Sequence, residues 1–220
     1  MLADIVSARV RPDRSHDRDS CILLPSVSWS TYESLLCDLK DSHAAHLAYD
    51  RGMLEIMVLS GKHELPKDLL VLLVNVIAEE RGIDIKGFGS TTFRRADLAR
   101  GFEPDACFYI QNEERVSERE DLDLATDPPP DLVIEIDIAN PSLSKFPIFS
   151  ALGIPEIWRY DGKLATIFAL AGETYRECSE STAFKGVTNS MLSEFVEAGK
   201  HTKRTAWLRN LRMWARAPSA

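Results

Sequence analysis

The stretch that most constrains the fold is Asp131 to Gly153, DLVIEIDIANPSLSKFPIFSALG, an apolar strand bearing two acids that runs on into a helix opened by a lysine. In extended chain alternate side chains share a face, so Leu132, Ile134, Ile136 and Ile138 point one way while Val133, Glu135 and Asp137 point the other. One face is oil; the other holds two carboxylates. Residues two apart on a strand are separated by roughly 6.5 to 7 Å, close enough for both acids to act on one cation. Pro128-Pro129-Pro130 stiffens the entry and itself lies outside any helix or sheet core. A run this apolar suits a central strand, while an edge strand with a solvated acidic face satisfies the same spacing.

Gly153 reads as a helix terminator and Ser144 as an N-cap, which makes Lys145 the first helical residue. Pro147 then falls in the first turn, where its missing N–H is harmless. A cation at that point opposes the helix dipole at a cost of about 0.3 to 1 kcal/mol. The mismatch is explained if an anion has to be met there. The plainer alternative is a solvated lysine on an exposed turn.

At 220 residues, 45% hydrophobic and 27% charged, the chain matches one globular domain with a substantial core. The division expected is a flexible leader over 1–20, where charges mix without periodicity, and a single domain over 21–220. A net charge of −8 and a pI near 5.2 argue against a protein that holds nucleic acid by bulk electrostatics. Any polyanion must be met by a local patch or through a metal. Cys21, Cys37, Cys107 and Cys178 show no zinc-like spacing and read as reduced, mostly buried thiols of a cytoplasmic protein. No apolar signal segment opens the chain, and no run of about 18 apolar residues suggests a membrane span.

In chain order, Ser30 and Glu33 resemble a capping box that starts a short helix reaching about Lys40. HLAYD and GMLEIMVLS form a hairpin turning at Asp50-Arg51-Gly52, which leaves Glu55 as an acid in apolar company. A long helix is expected from about Glu64 to Arg81, with Gly82 as its stop. Strands near Ile83–Gly89 and Thr91–Arg94 precede a basic loop, RRADLARG, and then the strand EPDACFYI with Asp105 at its start. A charged link over 111–131 leads to the central strand. Past Gly153 come a hairpin closed at Asp161-Gly162, a strand over Thr174–Cys178 and an amphipathic helical region. The basic face of that region could pack on the domain, join a dimer interface or lean on phosphate. The whole reads as an α/β domain with a central mixed sheet flanked by helices.

Asp105, Glu135, Asp137 and Lys145 make a constellation suited to metal-assisted phosphodiester hydrolysis. Magnesium prefers oxygen ligands and keeps several waters, so one or two carboxylates suffice. Such an ion lowers the pKa of a water and offsets developing charge, and a lysine can orient the water or neutralise a phosphate oxygen. The same acids could instead lie on a solvated edge, with Asp105 merely opening a strand.

Pro104-Asp105, then PDLVIEID at Pro130–Asp137, then SKFPIFSALGIPEIWRYDG at Ser144–Gly162, together resemble the bacterial putative restriction endonuclease family of the PD-(D/E)XK nuclease superfamily. The resemblance spans roughly Ser30 to Val196 and takes in the hairpin with Asp50, Gly52 and Glu55 and the segment TTFRRADLARGFEPDACFYI. It implies a restriction-endonuclease-like α/β fold and Mg2+- or Mn2+-dependent cleavage of DNA, with Asp105 and Glu135 as metal ligands. One departure stands out. The superfamily pattern has lysine two residues after the glutamate, where this chain has Asp137; Lys145 on the next helix takes its place.

Glu55 is a candidate supporting acid, and His63 a candidate phosphate contact with helix capping as its plain alternative. Arg94, Arg95 and Arg100 either line a DNA groove or are solvated loop charge. A homodimer is expected, since two sites could then address the two strands of a duplex. Two rival functions remain from the sequence: a catalytically inactive nuclease-fold protein that binds nucleic acid or a protein partner, and a hydrolase of small phosphoesters.

Overall fold

In the computed structural model of the protein, which describes residues 20–39, 45–58, 60–138 and 144–217, the chain builds two β-sheets where one central sheet was expected. The first joins β1 (Ser20–Leu24), β2 (Ala45–Asp50), β3 (Met53–Val58), β5 (Phe93–Arg95) and β6 (Arg100–Phe102) in the order β1-β3-β2-β6-β5, with every pairing antiparallel. The second joins β4 (Lys86–Gly87), β7 (Ala106–Tyr109), β8 (Leu132–Ile136), β9 (Glu156–Tyr160), β10 (Ala165–Ala171) and β11 (Thr174–Cys178) in the order β11-β10-β9-β8-β7-β4. It is mixed because β8 and β9 run parallel. Around the sheets lie α1 (Trp29–Leu39), α2 (Gly61–Arg81), α3 (Glu113–Val116), α4 (Phe146–Leu152), α5 (Asn189–His201) and α6 (Arg204–Arg216). The α/β class with a mixed sheet flanked by helices is therefore what the sequence led us to expect.

β8 is central, paired on one side with β7 (Ala106 opposite Ile134) and on the other with β9 (Ile134 opposite Trp158). All five of its residues are buried, which removes the edge-strand alternative. Its oil face, Leu132, Ile134 and Ile136, packs in one cluster with Leu73 and Ile77 of α2, Leu192 of α5 and Leu211 of α6. Val133 on the other face packs with Ile148 and Phe149 of α4 and with Phe93 and Phe102 of the first sheet. The Phe102 and Phe149 rings meet edge to face at 4.6 Å. A parallel pair cannot be closed by a tight turn, and α4 is the crossover that returns the chain from β8 to β9. Glu135 thus emerges on the side where α4 and the first sheet meet the second.

Local chemistry sets the boundaries. Gly82 ends α2 in the left-handed region (φ 61°, ψ 40°), where its N–H reaches Ala78 and Glu79 carbonyls. The helix begins at Gly61, three residues ahead of the expected start, so His63 sits inside its first turn. The β2–β3 turn has Arg51 and Gly52 at φ 50° and 97°, the paired positive angles of a two-residue hairpin loop. The charged link contains α3, and the basic loop contains β6, which forms because β2 and β5 offer it backbone partners on both sides. Apart from Ser20, which opens β1, the leader expected over 1–20 lies outside the described residues.

The C-terminal arginines have structural partners. Arg212 and Arg216 each reach the Glu80 carboxylate at 2.5 Å, Arg81 lies over the Trp214 ring at 5.2 Å, and the Trp207 indole donates to the Phe195 carbonyl at 2.8 Å. Of the uses open to this basic face, α6 takes packing on α2. Of the four cysteines, expected to be mostly buried, Cys107 is buried, Cys178 is half-buried, and Cys21 and Cys37 are exposed, because β1 and α1 turn them outward. Among the described residues no helix is long and apolar enough to cross a membrane.

Candidate active site

Asp105 precedes β7 directly, and its buried Oδ2 accepts the Ile136 N–H at 2.6 Å. That bond ties the start of β7 to the end of β8 and sets Asp105 next to Glu135. Glu135 in turn accepts the Lys145 ammonium on Oε2 at 2.6 Å, with the two side chains 8% and 17% exposed. Lys145, not Ser144, is the N-cap of α4, so the helix starts one residue later than expected, and the Lys145 carbonyl takes the Ile148 and Phe149 N–H groups. The crossover therefore delivers the lysine back to the strand that it has just left.

The electrostatics show a shared site. Burial pushes Glu135 up to about 7, helped by the Asp105 and Asp137 charges and offset by Lys145. For Lys145, burial alone would favour the neutral amine, but the Glu135 and Asp105 charges outweigh it, with Glu55 contributing, and the ammonium is held above its ordinary value. Asp137 is raised by burial, against the pull of Arg159, Lys145 and His63, and Glu55 raises it further. Glu55 and His63 are both about 1% exposed, and both act on the Asp137 carboxyl, so these two candidates share the field of the central acids. Glu55 Oε2 also accepts the Cys21 thiol at 3.3 Å.

The three arginines of the loop stand apart from this cluster. Arg95 grips both oxygens of Asp97 at 2.8 and 2.6 Å and reaches the Leu124 carbonyl. With Arg94 it borders a cavity that also includes Trp29 and Asp123. Arg100 is paired to Asp50 at 2.8 Å and borders a different cavity, beside Ser144 and Phe146, which flank Lys145.

Two residues of the neighbourhood carry no sequence signal. His46 on β2 places Nδ1 3.8 Å from Asp105 Oδ1, and burial lowers its pKa against the opposing pull of Asp105 and Glu103. Arg159 on β9 lies opposite Glu135 in the parallel register. Neither placement is readable before the strand partners are known.

Whether the site suits a hard divalent cation depends on its free oxygens. Glu135 Oε1 is buried with no hydrogen-bond partner among the described residues. Asp105 Oδ1 has His46 as its neighbour at 3.8 Å, beyond hydrogen-bond length. Among the described residues no three histidine, cysteine, aspartate or glutamate side chains are grouped as a metal site. The donor set on offer is two carboxylates, which fits magnesium, an ion bound through one or two such groups with water completing its shell.

Fold and site together define an α/β protein whose mixed sheet carries paired acids and a lysine where its central strands end. The sequence model of the family described as Uma2, putative restriction endonuclease, matches residues 29–199, and the chain belongs to that family. Among solved structures it is similar to a putative nuclease belonging to DUF820 from Anabaena variabilis ATCC 29413, with 18% identity, 77% of this chain and 90% of that chain covered, and a TM-score of 0.42. No curated protein matches the chain.

Proposed function

We propose that the protein is a metal-dependent DNA endonuclease that hydrolyses phosphodiester bonds, with Asp105 and Glu135 as the ligands of Mg2+ or Mn2+. The observation that carries the reading is the convergence of Asp105, Glu135 and Lys145 from three separate segments, sealed by the 2.6 Å contact between lysine and glutamate. When bound, the metal would supply charge against that developing at phosphorus and would acidify a water. Asp105 is pre-oriented by the Ile136 N–H, so its free oxygen has a fixed direction. Lys145 gives one donor to Glu135 and has two more for a water or a phosphate oxygen. Held above its ordinary pKa, it stays charged throughout the neutral range. It thereby supplies the amine that the superfamily pattern places at position 137, where this chain has an acid.

Plasmid DNA tests the proposal. With magnesium or manganese the purified protein should nick or cut it, and Asp105→Ala and Glu135→Ala should each abolish cleavage. Activity that survives both substitutions would place the chemistry elsewhere. Two copies would bring two sites to one duplex, and light scattering in solution should return twice the mass of the 24.7 kDa chain. The expected compartment is the cytoplasm, where Cys21, Cys37, Cys107 and Cys178 would stay the free thiols that they are here.

One observation favours a second reading, a catalytically inactive protein that keeps the fold to bind nucleic acid or a protein partner. The Lys145 ammonium already occupies Glu135 Oε2, the oxygen that a cation would share. Calorimetric titration with manganese separates the two: heat that vanishes in Asp105→Ala supports the nuclease, and no heat with the native protein supports the scaffold.

A further inference from the structure

Arg159 is a charged residue beside the acid cluster to which the proposed mechanism gives no task. It faces Glu135 across the β8–β9 register, so both side chains leave the sheet on the same side. Its guanidinium carbon lies 5.8 Å from the Phe146 ring centre and 5.4 Å from that of Phe168, and the two rings meet at 5.0 Å. It is also the foremost positive charge acting on Asp137.

Its hydrogen bonding differs from that of four other arginines. Arg95, Arg100, Arg212 and Arg216 all donate to carboxylates. Among the described residues the Arg159 guanidinium makes no hydrogen bond or ion pair, and its contacts are the two rings. Aromatic rings contact a guanidinium through its face, whereas its five N–H groups lie in the plane and point outward at the edge. The rings thus fix the direction of the group without satisfying it. Phe146 also lines the adjoining cavity of about 690 Å³, whose other walls include Arg51, Arg100, Ser144 and Tyr175, with Glu173 as its acid. Phe146 thus links Arg159, which lies over its ring, to a cavity also walled by Arg51 and by Arg100, itself paired to Asp50.

We propose that Arg159 is a substrate-binding residue, donating its in-plane N–H groups to a phosphate of the nucleic-acid backbone next to the bond addressed by Glu135 and Lys145. The assignment rests on the nuclease reading for its substrate class and on the geometry of Arg159 for the contact.

The test is the affinity for a short fluorescein-labelled DNA duplex of mixed sequence, followed by anisotropy over a salt series, in EDTA and again in calcium. Arg159→Met keeps a flexible stem between the rings and removes the charge; Arg159→Lys keeps the charge and loses the planar fork. For Arg159→Met, affinity should fall about tenfold and the slope of log affinity against log salt should lessen by about one. Arg159→Lys should recover the slope but only part of the affinity. A folded Arg159→Met that binds with native affinity and slope overturns the assignment, as does a native protein that binds no duplex in either condition. If Arg159→Met lowers the slope but the native protein never cuts with magnesium or manganese, the nuclease reading fails and the phosphate contact stands. If the native protein cuts and Arg159→Met binds unchanged, the phosphate contact fails alone.

Discussion

Replacing Lys145 with methionine probes the central pair most directly, because it leaves Glu135 buried at 6% exposure with neither oxygen partnered among the described residues. In the native protein the glutamate is raised from 4.5 to about 7, so its ionisation weakens the fold as pH climbs between those values and has no further effect above them. Lysine works in the opposite sense at the far end of the scale. Its folded value lies above 10.5, so its contribution is fully present below that pH and is lost only beyond it. Removing the ammonium deletes the charge that offsets burial, while Asp105 and Asp137 still repel, and the glutamate pKa must climb past 7. The variant then goes on losing stability where the native protein has levelled off, by about 1.4 kcal/mol per pH unit above 7. The total is bounded near the 3 to 5 kcal/mol typical of a broken buried pair. Urea unfolding of metal-free protein at pH 6 and pH 9 should show a gap between variant and native protein that widens by about 2 to 3 kcal/mol. A gap of equal size at both pH values would refute the argument, as would one that persists when Glu135→Gln is added to Lys145→Met.

Other consequences can be measured on the same unfolding curves. Glu156 is 1% exposed and accepts bonds from the Trp158 indole, Ser181, the Thr182 backbone and hydroxyl, and the Ala183 backbone, so Glu156→Ala should cost about 3 to 5 kcal/mol; a loss below about 1 would mean that the network is dispensable. A Cβ on Gly101 would collide with the buried Tyr32 ring, and Gly101→Ala should cost about 1 to 3 kcal/mol, with a neutral result refuting the contact. Tyr32 Oη is buried without an acceptor among the described residues, so Tyr32→Phe should be neutral or stabilising, and a loss above about 1 kcal/mol would reveal a partner. Asp161 accepts the Leu164 and Lys163 N–H groups, which lower its pKa. Its contribution should be present above its ordinary value of 3.8 and fade as pH falls through the lower folded one; a native-minus-Asp161→Ala difference that stays constant from neutral to strongly acidic pH would contradict this.

What the sequence made legible was local. The alternation along LVIEIDI, the stops at Gly82 and Gly153, and the turn at Arg51-Gly52 all follow from side-chain period or backbone angle, and all appear in the fold. Strand partners are a long-range matter. Nothing in Arg100-Gly101-Phe102 favours extended chain until β2 and β5 flank it, and the SCILL segment becomes a strand through its pairing with β3. The same limit hid His46 and Arg159, whose importance comes from facing Asp105 and Glu135 across neighbouring segments. Lys145 was found because it follows closely along the chain. The C-terminal arginines admitted several uses until α2 supplied Glu79 and Glu80.

Asp105, Glu135, Lys145 and Arg159 come from the residue before β7, from β8, from the start of α4 and from β9, so the acids meet the cations only after three strands have docked side by side. A chain still emerging from the ribosome, or one clipped by a protease between these segments, would hold every one of these residues and no assembled cluster. Whatever chemistry the cluster performs therefore depends on completed assembly, and unfinished copies would lack it.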